Sequence, residues 1–113
     1  MIYETALSFP TSIFMAGDVS DAQKYCQLYC NDLGLCVTVT PTKYIYTDGS
    51  EEGFVVGLIN YPRFPSTPHL LTERAFDLAH ELMRQLGQES FSVQTPTVTH
   101  WFSRRASDQE QAA

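Results

Sequence analysis

The stretch FVVGLINYPRFPSTP, residues 54–68, passes from a strand into a helix and decides how the chain is organised. Its first half is apolar with little alternation, which predicts a central strand covered on both faces. Pro62 and Pro65 then exclude regular structure from a short loop, which we call the proline loop. Thr67 and Pro68 fit the N-cap and the first position of a helix, which Gly87 ends. The apolar stripe of this helix comprises Leu71, Ala75, Leu78, Ala79, Leu82 and Leu86.

The residues upstream of this stretch predict a strand, a helix and a hairpin. Residues 11–16 form a short apolar run, which is typical of a strand. Residues 18–34 carry apolar side chains at three- and four-residue spacing, which predicts an amphipathic helix. Residues 35–46 alternate as a half-buried strand that Pro41 can split. The sequence DGSEEG at 48–53 predicts a hairpin with a loop longer than two residues.

The last predicted strand covers residues 90–105, and Pro96 can split it. The order of elements is therefore β-α-β-β-α-β, which indicates an α+β fold with two helices on one face of an antiparallel or mixed sheet. A chain of 113 residues has the length of one domain. We expect a single domain over residues 1–105 and a polar, disordered tail over residues 106–113.

The composition limits the partners and the location of the protein. The formal net charge is −6, which argues against a general DNA or RNA binder because phosphate backbones require a basic surface. No apolar run reaches the length of a membrane span, and the N-terminus lacks the basic region of a signal peptide. We therefore expect a cytoplasmic protein with no DNA partner and no membrane partner.

Residue types that carry catalysis or bind metals form no recognisable pattern. The spacing of Cys26, Cys30 and Cys36 is not that of a zinc site, so these residues are interpreted as buried and structural. Glu51 and Glu52 fall in the predicted hairpin turn, where solvent exposure is their expected state. The chain has no nucleophile motif and no phosphate-binding glycine loop. The sequence thus predicts neither an enzyme nor a cofactor or metal site.

Arginines and aromatic residues are distributed more informatively. Arg63 lies in the proline loop after one strand, and Arg104 and Arg105 end another. If those strands run in the same direction, the arginines can gather at one end of the sheet, where they can bind phosphate while aromatic rings stack on a base. A rigid connector and a solubilising strand end remain the alternative. The candidate ligand-binding residues are Arg63, Arg104, Arg105, Asn60, Tyr61, Phe64, Gln88 and Trp101.

Four stretches resemble a known family when they are taken together in this order. They are GLCVTVTPTKYIYTDG (34–49), EEGFVVGLINYPRFP (51–65), LGQESFSV (86–93) and WFSRR (101–105). This pattern resembles the first-described family of phage Thoeris anti-defence proteins. The resemblance covers residues 11–105, and it rests on the order and spacing of the stretches rather than on any catalytic signature.

This resemblance implies a phage-encoded sponge that acts in the cytoplasm of the infected bacterium. Such proteins inhibit Thoeris defence by sequestering cyclic ADP-ribose isomers without cleaving them. The family forms dimers that can assemble into hexamers, and some members hold cyclic di- or trinucleotides in separate pockets. The resemblance therefore implies a homo-oligomer, and the uncovered sheet surface of so small a domain also favours one. Tyr44, Tyr46 and the strand around Val55 are the expected interface.

Two other functions remain open. An acidic protein of this size can act as a protein-binding inhibitor of a host defence nuclease. A small enzyme that uses Cys36 or His100 is the third possibility, and it requires a nucleophile and a base in one cleft.

Overall fold

The computed structural model describes residues 1–108, in which two helices pack on one face of a five-stranded sheet. The elements are β1 (Thr11–Ala16), α1 (Val19–Leu33), β2 (Thr38–Tyr46), β3 (Gly49–Leu58), α2 (Pro68–Leu86), β4 (Ser90–Gln94) and β5 (Thr99–Ser103). The predicted α+β class and the order of elements are confirmed. Pro96 separates β4 from β5, whereas β2 continues through Pro41. Because β2 is an edge strand, it tolerates a residue without an N–H group.

The ends of both helices follow from local capping. The Oγ1 atom of Thr67 accepts a hydrogen bond from the N–H group of Leu70 at 3.1 Å, and Pro68 opens α2. Gly87 ends α2 in the left-handed region with φ 66°, as the sequence predicts. Asp18 caps α1 by accepting a hydrogen bond from the N–H group of Asp21.

The hairpin between β2 and β3 is confirmed, but its predicted long loop is wrong. Tyr46 pairs with Gly49, so the turn consists of Thr47 and Asp48 alone. Asp48 has φ 63°, a left-handed conformation that Asp tolerates at tight turns. The following residues, including Glu51, therefore belong to β3 rather than to a solvated loop.

The order of the strands fixes which loops lie near one another. The sheet runs β2-β3-β1-β4-β5, and every neighbouring pair is antiparallel. Consequently β3 and β5 run in opposite directions. The loop that follows β3 and the residues that follow β5 lie at opposite ends of the sheet.

The core lies between the sheet and the two helices. Helix α1 packs over β2 and β3, and α2 packs over β1 and β4. The apolar stripe of α2 is confirmed, since all its members are buried except Leu86, which is half-buried. The prediction that β3 is covered on both faces is wrong. Phe54 and Val56 are fully buried beneath the helices, whereas Val55 and Gly57 lie half-buried on the opposite, open face.

The segments before β1 and after β5 differ in structure. Residues 1–8 have no regular secondary structure, and Phe9 anchors them in the core. The predicted tail begins at residue 106. Residues 106–108 form a helical turn, and residues 109–113 lie outside the described residues. Within residues 1–108, no helix combines the length and the apolar character needed to span a membrane.

Candidate functional site

A cavity of about 230 Å³ opens on the face of the sheet that the helices leave uncovered. We call it the open-face pocket. It lies where β1 ends and β4 begins. The side chains that give it its chemistry are Tyr44, Glu51, Gln88, Glu89, Trp101 and Arg105. Three of them, Gln88, Trp101 and Arg105, are sequence-predicted ligand residues.

Tyr44 forms one fixed wall of this pocket. Its hydroxyl accepts a hydrogen bond from the N–H group of Met15 at 3.0 Å and donates one to the carbonyl of Phe54 at 2.6 Å. Its ring lies so close to Gly53 that a Cβ atom there would approach the ring to 2.4 Å. Burial raises the pKa of Tyr44, although the Met15 hydrogen bond acts to lower it. The two hydrogen bonds and the contact with Gly53 fix the orientation of the phenol, and its raised pKa favours the neutral form.

Trp101 forms the opposite wall near the edge of the sheet. Strand register places Val55, Phe14, Ser92 and Trp101 in one row across the open face. The side chain of Trp101 is 61% exposed. The exposed indole of Trp101, beside Ser92 and Phe14, offers a surface on which a nucleobase can stack.

The charges of the open-face pocket are mixed. Glu51 and Glu89 contribute two carboxylates, and Arg105 contributes one guanidinium. The Nη1 atom of Arg105 lies 3.2 Å from an Oδ2 atom of Asp108, so this guanidinium already has one acidic partner. Such a pocket complements a ligand that carries a positive charge beside polar groups better than it complements a bare diphosphate.

Arg104 and Gln88 hold the rim of the pocket together. The Nε atom of Arg104 donates a hydrogen bond to the carbonyl of Gln88 at 3.0 Å, and its backbone N–H group donates to Glu89. These bonds tie the end of β5 to the loop after α2. The side-chain amide of Gln88 remains at the pocket, where it offers both a donor and an acceptor.

The proline loop lies at the other end of the sheet, so a single chain does not bring Arg63 to Arg104 and Arg105. Arg63 is exposed and shares a surface cleft with Ile2 and Glu4 of the N-terminal segment. The conditional prediction that these arginines gather requires strands that run in the same direction, and β3 and β5 do not.

The other candidates in the proline loop contact the chain itself. The side-chain amide of Asn60 donates to the carbonyl of Leu7 at 2.9 Å and accepts from the N–H group of Ser66 at 2.7 Å. Tyr61 and Phe64 have ring centroids 5.2 Å apart. Asn60 therefore anchors the N-terminal segment, and the aromatic pair stiffens the loop.

The three cysteines lie around a different cleft, of about 390 Å³, between α1 and β2. Burial, followed by the neighbouring Cys30, raises the pKa of Cys26 to about 12. Burial also raises the pKa of Cys30. Cys36 is exposed, contrary to prediction, and its thiol donates a hydrogen bond to the hydroxyl of Tyr61 at 3.3 Å. No group of residues within 1–108 has the arrangement of a metal site.

His80 and His100 lie on the helix face, away from the open-face pocket. His100 contacts the ring of Phe76 edge-on, and His80 contacts Phe91 and Phe102 in the same manner. Neither is placed to serve as a base at the pocket. Tyr44, Glu51 and Glu89 line the pocket, although their sequence context did not predict them as ligand-binding residues. One signal placed Glu51 on the open face. It lies three residues before buried Phe54, and side chains an odd number of residues apart in a strand point to opposite faces.

Comparisons with known proteins yield a structural likeness alone. No protein-family model matches the chain, and no curated protein sequence does. A phage SAM lyase in its apo state matches with a TM-score of 0.77 and 15% identity, over 93% of this chain and 97% of that chain. A phage SAM lyase in complex with S-methyl-5′-thioadenosine matches with a TM-score of 0.74 and 16% identity, over 91% of this chain and 95% of that chain. At such low identity the likeness shows a shared fold.

These matches correct one expectation. The sequence predicts that the chain is not an enzyme, and that prediction is wrong because both matched structures are of a lyase. The fold is one that carries an enzyme. The matched structures are also of a phage protein, which agrees with the phage character of the resemblance. The Thoeris family itself remains a hypothesis.

Proposed function

We propose that this protein removes a small adenosine-containing molecule from the cytoplasm of a phage-infected bacterium. The observation that carries the proposal is the open-face pocket, where an exposed indole and a fixed phenol stand beside polar and charged groups. Trp101 stacks on the adenine, and Gln88 hydrogen bonds to the edge of the base or to the ribose. Arg105 binds an anionic group of the ligand.

The first candidate ligand, a cyclic ADP-ribose isomer, rests on the family resemblance rather than on the charges of the pocket, which match a cationic ligand better. Its diphosphate requires positive charge, which Arg105 offers at the pocket, whereas the Nε atom of Arg104 donates to the carbonyl of Gln88. Arg63 can contribute only from another copy of the chain, because it lies at the far end of the sheet. Capture of this molecule would inhibit Thoeris defence. Cyclic di- and trinucleotides are further ligands of the same chemical class.

The second candidate ligand is S-adenosylmethionine, which has a specific observation in its favour. Its sulfonium carries a positive charge, and Glu51 and Glu89 place two carboxylates at the pocket. The likeness to a phage SAM lyase supports the same candidate, since one of the two matched structures is a complex with S-methyl-5′-thioadenosine. In this case the bond between sulfur and the aminobutyrate chain breaks, and its electron pair stays on sulfur to give neutral S-methyl-5′-thioadenosine. The chain leaves as a lactone, because its own carboxylate bonds to the carbon that sulfur releases.

Two parallel incubations distinguish the candidate ligands. The full chain is mixed separately with a cyclic ADP-ribose isomer and with S-adenosylmethionine, freed of unbound ligand, and denatured. Mass spectrometry then identifies the released and the unbound small molecules. Retention of cyclic ADP-ribose supports the first candidate, and conversion to S-methyl-5′-thioadenosine supports the second. If neither ligand is retained or altered, the proposal is wrong.

Neighbouring residues on opposite faces of β3 provide a matched control. Glu51→Gln removes a carboxylate of the pocket, whereas Glu52→Gln changes the adjacent residue, whose carboxylate lies 3.6 Å from Lys43. We expect Glu51→Gln to lower capture or conversion of S-adenosylmethionine and Glu52→Gln to leave it unchanged. Arg105→Ala should weaken the binding of a phosphate-bearing ligand by about 2–4 kcal/mol, the range for a charge-assisted contact.

A further inference from the structure

The N-terminal segment, residues 1–8, carries apolar side chains that its own domain does not cover. Ile2 is 83% exposed, Tyr3 is 88% exposed and Leu7 is 82% exposed. The segment is nevertheless held at its base, because Phe9 is buried and Asn60 binds the carbonyl of Leu7. An anchored segment that has no regular secondary structure and carries exposed apolar residues is suited to bind another surface.

The two edges of the sheet differ in how well they can accept such a segment. Edge strand β2 carries Pro41 and Lys43, which are residues that block the addition of a further strand. Edge strand β5 contains no proline and no lysine. Its exposed apolar side chains, together with the residue before it, are Val98, Trp101 and Phe102.

Hydrogen bonding within the hairpin shows which groups of β5 face outward. The backbone N–H group of Arg104 donates to the carbonyl of Glu89, and the N–H group of Thr95 donates to the carbonyl of Val98. In an antiparallel pair, every second residue is hydrogen bonded to the neighbouring strand. Since Val98 and Arg104 are bonded in this way, the register makes His100 and Phe102 hydrogen-bonded partners of β4 as well. The backbone groups of Thr99 and Trp101 therefore point away from β4. They form a row of donors and acceptors to which an extended chain can bind.

The N-terminal segment of the same chain is directed away from this edge. Ile2 and Glu4 share a surface cleft with Pro62 and Arg63, which follow β3. Strand β5 lies on the other side of β1, separated from it by β4. The segment of a second copy has no such constraint. The two complementary surfaces belong to one sequence, so every copy supplies both.

We propose that residues 2–7 of one copy add as a strand to the outer edge of β5 of a second copy. The exchange is reciprocal in a two-fold dimer, so that both segments and both edges are used. The added strand lies beside Trp101 and forms the outer wall of the open-face pocket, which a single chain leaves open on that side. This inference concerns assembly and does not depend on which ligand the pocket binds.

Hydrogen exchange of individual amides, measured by NMR on the full chain at high concentration, tests the proposal. Thr99 and Trp101 have outward N–H groups, and exchange at both should be slowed by the added strand. The test variant Ile2→Asp/Tyr3→Asp places a charge on each side of the segment, so one charge enters the interface whatever the register. We expect exchange at Thr99 and Trp101 to become at least about tenfold faster in this variant.

The controls lie in the same strand and the same segment. His100 and Phe102 bond to β4, so their amides should exchange equally slowly in both proteins. Ile2→Val/Tyr3→Phe should behave as the parent chain. Sedimentation should show a dimer for the parent chain and a monomer for the aspartate variant. Rapid exchange at Thr99 and Trp101 in the parent chain, or unchanged protection in the aspartate variant, would overturn the proposal.

Discussion

The two faces of the sheet are built from the same strands, yet they differ in almost every property. On the helix face, Ile13, Phe54 and Val93 have no exposed surface. On the open face, their neighbours Phe14, Val55 and Ser92 remain half-exposed. The covered face gains its stability from apolar burial, whereas the open face retains surface for a ligand or a partner. This contrast teaches that consecutive residues of one strand can serve folding and function separately.

The largest expected loss of stability comes from a substitution on the covered face. Phe54→Ala removes a fully buried ring and should lower the free energy of unfolding by about 3–5 kcal/mol. Its neighbour Val55, half-buried on the open face, provides the control, and Val55→Ala should cost about 1 kcal/mol. Urea denaturation measures both values. Equal losses at the two positions would refute the division of roles between the faces.

The second prediction concerns the fit between Tyr44 and the sheet. A Cβ atom at Gly53 would lie 2.4 Å from the ring of Tyr44 and 2.5 Å from the carbonyl oxygen of Met15. Gly53→Ala should therefore destabilise the protein by about 1–3 kcal/mol, because a backbone atom cannot yield. At Gly57 the closest atom is the side-chain hydroxyl of Thr38, which can rotate, so Gly57→Ala should cost less. Denaturation curves in which Gly57→Ala is the more damaging change would contradict this reasoning.

The third prediction compares aromatic residues at the two ends of the sheet. Trp101 is 61% exposed at the open-face pocket, and Phe64 is 48% exposed in the proline loop. Trp101→Ala should weaken binding of an adenosine-containing ligand by about 1–3 kcal/mol, as loss of a base-stacking ring does. Phe64→Ala should leave that affinity unchanged. Titration calorimetry with S-adenosylmethionine and with a cyclic ADP-ribose isomer measures both variants, and equal losses would place the ligand elsewhere.

The smallest effect at neutral pH is a pH dependence that belongs to the covered face and develops only at alkaline pH. Burial raises the pKa of Cys26 from 9.0 to about 12. Between these values the unfolded chain loses the thiol proton and the folded chain keeps it, so the unfolded state binds fewer protons. Stability should therefore be complete below pH 9 and should fall as pH rises towards 12. Thermal denaturation in this range should show a shallower decline for Cys26→Ala, and an identical decline would exclude the thiol as a cause.

Local sequence determined the elements of this protein. Thr67, Pro68 and Gly87 fix the limits of α2 because capping groups act on residues only a few positions away. The alternation of residues 35–46 likewise predicted the half-buried strand β2 from a period of two residues. The fold class follows from these elements and their order.

Tertiary structure alone decided the site. Whether Arg63 meets Arg104 depends on the relative direction of β3 and β5, which the pairing of the intervening strands sets. The place of Tyr44, with its hydroxyl bonded to β1 and β3, depends on register between segments far apart in the chain. Glu51 became a pocket residue because the hairpin turn is shorter than its sequence indicates. Contacts of this kind are fixed by the packing of the whole sheet, and no local pattern encodes them.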